Sequence, residues 1–231
     1  IFEDLTINSP LSDVTSSSFY GCNSLKTVTY NGENIPGSFM SGRSYLQTVN
    51  IGKNVKTIGE YAFQNCYRVT TLNIDTEVSD LAIGQYAFSN LDSLRTVSLP
   101  AGITSLGNNC FYGCDSLRTV EFAEASVITA IPNSCFYYCF NLQTITLPNS
   151  VQTIGNNAFY YCSKLREITF GTGLAANGFA NDNYLFYDCS NVEKMIIPGV
   201  NFPFQCSIYS LPNSMRLYVH PDMVATYKAS D

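Results

Sequence analysis

A repeat of about 24 residues constrains the fold of this chain more than any other feature of its sequence. It is most visible as a phenylalanine that recurs at spacings of 20, 24, 25, 23, 25, 23 and 27 residues. The eight marker phenylalanines are Phe19, Phe39, Phe63, Phe88, Phe111, Phe136, Phe159 and Phe186. Because a unit of this size cannot bury its own apolar side chains, we expect the units to stack and share one continuous core.

Most repeats follow the pattern A-F-x-x-C-x-x-L-x-x-I-x-L-P, and then V-x-x-I-G before the next phenylalanine. The small residue, the phenylalanine and the cysteine fall at i, i+1 and i+4, on one side of a single helical turn. The segment that follows alternates apolar and polar residues, as in "TVEF" and "TITL", and its β-branched residues favour a strand. The sequence therefore predicts an α/β solenoid with one short parallel strand and a short helical turn in each repeat.

The full chain is predicted to form a single repeat domain. Residues 1–18 match only the strand part of the pattern, and residues 19–211 carry eight repeats. Residues 212–231 predict a capping strand near 215–219 and a helix that starts near Pro221, because an open stack needs a terminal cap. The chain begins without Met and in the middle of a unit, so we expect a native segment upstream and an export signal that has been removed.

The nine cysteines allow three interpretations. Two C-x3-C pairs, Cys110 with Cys114 and Cys135 with Cys139, have the spacing and ligand type of a four-thiolate metal site. In the second interpretation they are small buried fillers, stacked in line at roughly the 5 Å spacing of parallel strands. Disulfides between neighbouring repeats are the third. We favour buried fillers and expect no metal or cofactor, and Cys206, outside the repeat register, is a candidate exposed thiol.

The segments "IGNNAFYYCSKLREITF", "IGEYAFQNCYRVTTLNI" and "LPNSVQTIGNNAF" closely resemble the BspA-type leucine-rich repeats. The resemblance extends from Phe2 to about Lys228. It implies a leucine-rich-repeat right-handed superhelix and an extracytoplasmic protein, either secreted or held at the surface of a bacterial or protist cell. It also implies a role in adhesion or ligand binding, and the family carries no catalytic residues.

The predicted strands place polar residues at equivalent positions of successive repeats, facing away from the core. Threonine suits any exposed strand, so these columns are consistent with a purely structural role. Alternatively, they form a concave surface that binds a protein or a glycan, with the arginines as anchors because arginine is enriched at binding hot spots. The candidate contacts on the strands are Arg95, Thr96, Arg118, Thr119, Glu121, Gln143, Thr144 and Arg166.

A second candidate surface consists of tyrosines between the marker phenylalanine and the cysteine. Stacking should bring Tyr137, Tyr138, Tyr160 and Tyr161 into one aromatic cluster. Exposed tyrosines are typical of surfaces that contact proteins or sugars. The alternative is that the rings pack on one another and shield the backbone.

Composition disfavours several other functions. A net charge of −6 argues against nucleic acid as a partner, and no run of 18 apolar residues is present to span a membrane. The single histidine, His220, has no nucleophile signature around it, carboxylates are sparse, and no repeat departs from its pattern to present two carboxylates together. We therefore expect a monomeric, non-enzymatic module that binds an unknown protein or glycan. The alternative is a structural spacer or stalk without a ligand of its own.

Overall fold

The computed structural model describes residues 2–9, 11, 18–175, 178–179, 184–199 and 211–225. Strands and turns make up nearly all of this part of the chain. The strands are β1 (Asp4–Ile7), β2 (Thr27–Tyr30), β3 (Asn34–Ile35), β4 (Thr48–Ile51), β5 (Thr57–Ile58), β6 (Thr71–Ile74), β7 (Leu81–Ile83), β8 (Thr96–Leu99), β9 (Ile103–Leu106), β10 (Thr119–Phe122), β11 (Ala130–Ile131), β12 (Thr144–Thr146), β13 (Thr153–Ile154), β14 (Glu167–Thr169), β15 (Lys194–Ile197) and β16 (Arg216–Val219). A short 3-10 helix, Pro221–Met223, follows β16.

One strand from each coil of the solenoid enters the main sheet, and every pairing in this sheet is parallel. The sheet has two parts, β1-β2-β4-β6 and β8-β10-β12-β14-β15-β16. The register aligns equivalent repeat positions, so that Val49 pairs with Val28 and Val120 pairs with Val97. The parallel-strand solenoid predicted from the repeat is therefore confirmed.

A second set of strands was not anticipated from the sequence. The segments β3-β5-β7-β9 and β11-β13, which we call the side ladder, also pair in parallel along the stack. They come from the V-x-x-I-G part of the repeat, and in each of them one or two apolar residues point into the core, such as Ile35 and Ile58. The prediction of a single strand per repeat was incomplete, because a two-residue strand is too short for a periodicity to reveal it.

The core is one continuous column of apolar side chains enclosed by the two sets of strands and the turns. The marker phenylalanines from Phe39 onward are almost fully buried; Phe39 contacts Phe63 edge to face, and from Phe63 onward the rings stack on those of the neighbouring coils. Centroids of Phe111 and Phe136 lie 5.8 Å apart, and those of Phe136 and Phe159 lie 5.7 Å apart. Burial of each ring stabilises the fold by about 2 kcal/mol or more, and stacking adds to this. The marker column therefore holds successive coils together.

The segments around the marker phenylalanines are not helical turns, contrary to the prediction. They are chains of tight turns in which alternate N–H groups bond to the next coil, as Phe63 N does to Ala87 O at 2.9 Å. Residues on either side of the marker have positive φ, including Tyr61 at +58° and Asn65 at +61°. A left-handed residue at these positions interrupts helical hydrogen bonding and directs the backbone toward the neighbouring coil.

At the C-terminal end, β16 pairs with β15 and leads into the 3-10 helix. The His220 side chain caps this helix, since its Nδ1 accepts a hydrogen bond from Asp222 N at 3.3 Å. Of the predicted capping segment, the described residues 212–225 contain β16 and this three-residue 3-10 helix. Cys206 lies outside the described residues.

Candidate functional site

The first candidate site is the strand face, which consists of Arg95, Thr96, Arg118, Thr119, Glu121, Gln143, Thr144 and Arg166. Register places Thr96, Thr119 and Thr144 side by side on β8, β10 and β12. Thr119 is half-buried, and the other residues of the strand face are exposed. The main sheet therefore aligns the three threonines, and a second column of Arg95, Arg118, Gln143 and Arg166 runs directly before the strands, joined through backbone hydrogen bonds.

The three arginines of the strand face are available for a partner. Arg95 and Arg118 occupy equivalent positions, and their backbones are joined because Arg118 N donates to Arg95 O at 2.8 Å. Within the described ranges, no carboxylate lies within ion-pair distance of Arg95, Arg118 or Arg166. An exposed guanidinium without a carboxylate can form a bidentate contact with an incoming acidic group.

Other polar side chains of the main sheet are already bonded to one another across the coils. Asn73 Nδ2 donates to Asn50 Oδ1 at 2.8 Å, and Asn50 Nδ2 donates to Thr29 Oγ1 at 2.9 Å. Ser98 Oγ donates to Glu121 Oε2 at 2.7 Å. These residues have part of their hydrogen-bonding capacity satisfied within the protein, so they are less free than the arginines to bind a ligand.

The second candidate site is the tyrosine stack, which we define as Tyr112, Tyr137, Tyr138, Tyr160, Tyr161 and Tyr187. Centroid distances are 5.2 Å between Tyr112 and Tyr137, 4.4 Å between Tyr137 and Tyr160, and 4.9 Å between Tyr160 and Tyr187, all with nearly parallel rings. Tyr138 and Tyr161 form a second column at 5.3 Å. The structure thus places the four predicted tyrosines in one aromatic cluster.

The tyrosine stack has features of both predicted alternatives, rings that pack on one another and rings that are exposed to a partner. Tyr137, Tyr138, Tyr160 and Tyr161 are half-buried, so each ring packs on its neighbours and also reaches solvent. Burial, together with the hydrogen bond and charge of Tyr138, raises the pKa of Tyr137. The result is a ridge of uncharged rings with polar edges, a surface suited to sugar or protein contacts.

The buried cysteine thiols fill space in the core and also donate hydrogen bonds to backbone carbonyls. Cys139 Sγ donates to Phe111 O at 3.2 Å and Cys162 Sγ donates to Phe136 O at 3.2 Å, in each case to the marker of the preceding coil. Burial raises the pKa of the Cys114 thiol to about 12. A protonated thiol is therefore the stable form, and it links one coil to the next through a weak hydrogen bond.

The metal and disulfide interpretations find no geometric support in the part of the chain that the structure describes. All eight cysteines there are free, and no three His, Cys, Asp or Glu side chains converge as metal ligands would. The described residues also include no helix long and apolar enough to cross a membrane.

Two carboxylates influence each other across one coil junction, although each lies in a repeat that keeps its pattern. Asp92 and Asp115 occupy the same slot in adjacent coils, four residues after Phe88 and Phe111. Burial, and then the charge of Asp115, raise the pKa of Asp92 to about 6. The signal was present in the sequence, but it appears only when the repeats are aligned with one another rather than inspected singly.

Sequence reasoning also missed two cavities beside β6 and β8. One, of about 360 Å³, is lined by Thr70, Ser93, Arg95 and Ser116. The other, of about 270 Å³, is lined by side chains at the carboxyl ends of the strands, namely Ile74, Thr76, Ser98, Leu99, Pro100, Glu121, Phe122 and Ala123. Of the predicted contacts, only Arg95 and Glu121 line these cavities.

These features define a class of protein, a parallel-strand solenoid with an exposed polar sheet. The chain belongs to the BspA-type leucine-rich repeat family, whose repeat region matches residues 1–118 and 81–211 in six copies. The search of curated proteins gave no significant match.

Two solved structures share the fold. A leucine-rich repeat protein from Bacteroides ovatus is 20% identical with a TM-score of 0.52, covering 94% of this chain and 71% of its own. A leucine-rich repeat protein from T. pallidum is also 20% identical with a TM-score of 0.52, covering 92% and 85%. At this identity the likeness concerns the fold alone.

Proposed function

We propose that this protein is a non-enzymatic, extracytoplasmic module that binds a protein or a glycan through its exposed repeat face. The observation that carries the proposal is the set of exposed arginines on the strand face, which have no carboxylate partner among the residues that the structure describes. Guanidiniums in one column, with Gln143 in the slot between Arg118 and Arg166, suit an extended partner that carries several acidic or polar groups. Membership of the BspA-type family supports a location outside the cytoplasm.

The experiment uses charge reversal within the strand face. The double variant Arg118→Glu with Arg166→Glu should abolish capture of partners identified on a glycan array or among purified matrix and serum proteins. Its melting temperature should stay close to that of the parent, because both side chains are exposed. Lys56→Glu, an exposed cation outside the strand face, is the control and should leave capture intact.

A structural spacer is the second candidate function, and one observation favours it. The amides of Asn50 and Asn73 and the rings of the tyrosine stack bond or pack among themselves, as in a surface that stabilises its own stack. If the parent protein captures nothing in either screen, the spacer function replaces the binding function. If a partner is captured equally well by the double variant, the strand face is not the binding surface.

A further inference from the structure

The cavity of about 360 Å³ at the amino ends of β6 and β8, which we call the hydroxyl pocket, has an unusual lining. Three hydroxyl side chains and one guanidinium line it, those of Thr70, Ser93, Ser116 and Arg95. The coils are joined at this place, since Ser93 N donates to Tyr67 O at 3.1 Å. The hydroxyl pocket is therefore a depression in the outer surface of the solenoid, and the stack of coils is continuous behind it.

The hydroxyl pocket arises from side-chain size in one slot of the repeat, the residue directly before the conserved-position aliphatic of each coil. In six successive coils this slot holds Tyr45, Arg68, Ser93, Ser116, Asn141 and Lys164. The large side chains on both sides are held in place. The Arg68 guanidinium lies 5.2 Å from the centroid of the Tyr45 ring, and Lys164 Nζ donates to Asn141 Oδ1 at 2.8 Å. Two adjacent serines thus leave a recess between larger neighbours.

The charge around the hydroxyl pocket favours an anion. Arg95 lines it, and Arg68 and Arg118 belong to the coils on either side. In the part of the chain that the structure describes, none of these three arginines has a carboxylate within ion-pair distance. Asp92 and Asp115 directly precede the two serines, but they do not line the pocket. An acidic group of a ligand therefore meets positive charge here, although the chain has a net charge of −6.

The hydroxyl groups of the pocket narrow the class of ligand. The hydroxyls of Ser93 and Ser116 bond to no other residue that the structure describes, and Thr70 Oγ1 makes only a long contact of 3.5 Å with Gln47 O. A hydroxyl both donates and accepts, which suits a ligand with hydroxyl groups of its own, whereas a guanidinium binds an oxyanion through paired N–H groups. An acidic sugar carries both kinds of group, and a pocket of this size takes about one sugar unit.

We propose that the hydroxyl pocket binds one acidic sugar unit of a glycan chain. The carboxylate or sulfate of that unit contacts Arg95, and its hydroxyl groups contact Thr70, Ser93 and Ser116. Neighbouring units of the glycan extend along the stack toward Arg68 and Arg118. This inference rests on the proposed function, because it names the class of ligand for part of the same exposed surface.

The test measures binding of three hexasaccharides by isothermal titration calorimetry. The probes are a heparin hexasaccharide with sulfates, a hyaluronan hexasaccharide with carboxylates alone, and neutral cellohexaose. We expect saturable binding of at least one acidic probe and none of cellohexaose at about 1 mM. Arg95→Gln should weaken the binding roughly tenfold or more, as loss of one charge-assisted contact predicts. Comparison of the two acidic probes shows whether sulfate or carboxylate is recognised.

Two further variants separate the hydroxyl pocket from general attraction between charges. Lys26→Gln removes the same charge from the column of Arg95, three coils away, where the lysine is already ion-paired, and should bind like the parent. The double variant Ser93→Asn with Ser116→Asn keeps the net charge and fills the pocket with the side chain that Asn141 has in the same slot. It should weaken binding roughly tenfold, while its melting temperature stays close to that of the parent.

Several outcomes would overturn the hydroxyl pocket as an acidic-sugar site. They are failure of both acidic probes to bind at about 1 mM, equal weakening by Arg95→Gln and Lys26→Gln, and full affinity in the double asparagine variant. Hexaglutamate that binds through Arg95 as tightly as the acidic hexasaccharides would show that the ligand class is wrong. If a partner is still captured through Arg118 and Arg166 in any of these cases, the proposed function of the strand face stands.

Discussion

The hydrogen bond from the Cys139 thiol leads to a quantitative prediction. Cys139 is fully buried, and its Sγ donates to Phe111 O at 3.2 Å. Cys139→Ala removes about one methylene equivalent of buried volume, roughly 1 kcal/mol, and the thiol hydrogen bond, roughly another 1 kcal/mol. The carbonyl keeps a weak bond from Cys114 N at 3.3 Å, which limits the loss. We expect unfolding to become easier by about 2 kcal/mol, or roughly 4–8 °C in melting temperature.

Urea unfolding followed by circular dichroism measures this loss, and two variants serve as controls. Cys22→Ala changes the same slot in the first repeat, where the thiol is half-buried, and should cost less. Cys135→Ala introduces the residue that Ala158 already provides at the equivalent position, and should also cost less. Cys139→Ser keeps a donor and should be milder than Cys139→Ala. If serine is the worse replacement, the slot is merely apolar and the hydrogen-bond argument is refuted.

Three further predictions concern backbone space, charge and backbone conformation. Gly84→Ala should destabilise the fold by about 1–3 kcal/mol in urea unfolding, because the added Cβ would lie 2.8 Å from backbone atoms of the preceding coil. Gly37→Ala is the control and should cost little, because the nearest atom to its added Cβ lies at 3.4 Å. Burial and the charge of Asp115 raise the pKa of Asp92 to about 6. The folded state therefore binds the Asp92 proton more tightly than the unfolded state does, and the free energy of unfolding falls as pH rises from about 4 to 6. Asp92→Asn should reduce that fall and raise the melting temperature at pH 7.5. Asn90, at φ +54°, should tolerate glycine better than alanine by about 1 kcal/mol, and equal melting temperatures would contradict a left-handed requirement there.

The strands of the main sheet could be predicted because their signal is hydrophobic and periodic. In β8, Val97 and Leu99 are buried while Thr96 and Ser98 are exposed, which is the alternation expected from the sequence. Arg95 does not follow this alternation, because it has the parity of the buried Val97 and is nevertheless exposed, one residue before β8 begins. Apolar residues at fixed positions of the repeat identify the core, and polar residues between them on the strands identify exposed positions.

The turns could not be predicted from apolar spacing, because spacing does not report backbone conformation. The residue two places after the marker has positive φ in most coils, and in Tyr138 and Tyr161 a large side chain adopts this strained conformation. Equivalent positions hold Gly113, Asn65 and Asn90, residue types that favour left-handed φ. Comparison of this slot across repeats could have replaced the helical turn with a left-handed one, even though tyrosine alone gives no such signal.

The junction between β6 and β8, which has no strand pairing, illustrates why a local irregularity is harder to predict than the repeat itself. Pro100, Pro148 and Pro198 occupy the same slot after their strands, yet only the first adjoins a junction without strand pairing in the main sheet. At Pro148 the pairing of β10 with β12 is shortened to two residue pairs, and β15, before Pro198, pairs with β14 over three. A proline in this slot is therefore compatible with strand pairing. Complete loss at Pro100 coincides with the bulge beside Leu81, a feature with no proline-like signal in the sequence. The loss of pairing between β6 and β8 thus coincides with two departures in one junction, and the side ladder has an interruption of its own between β9 and β11.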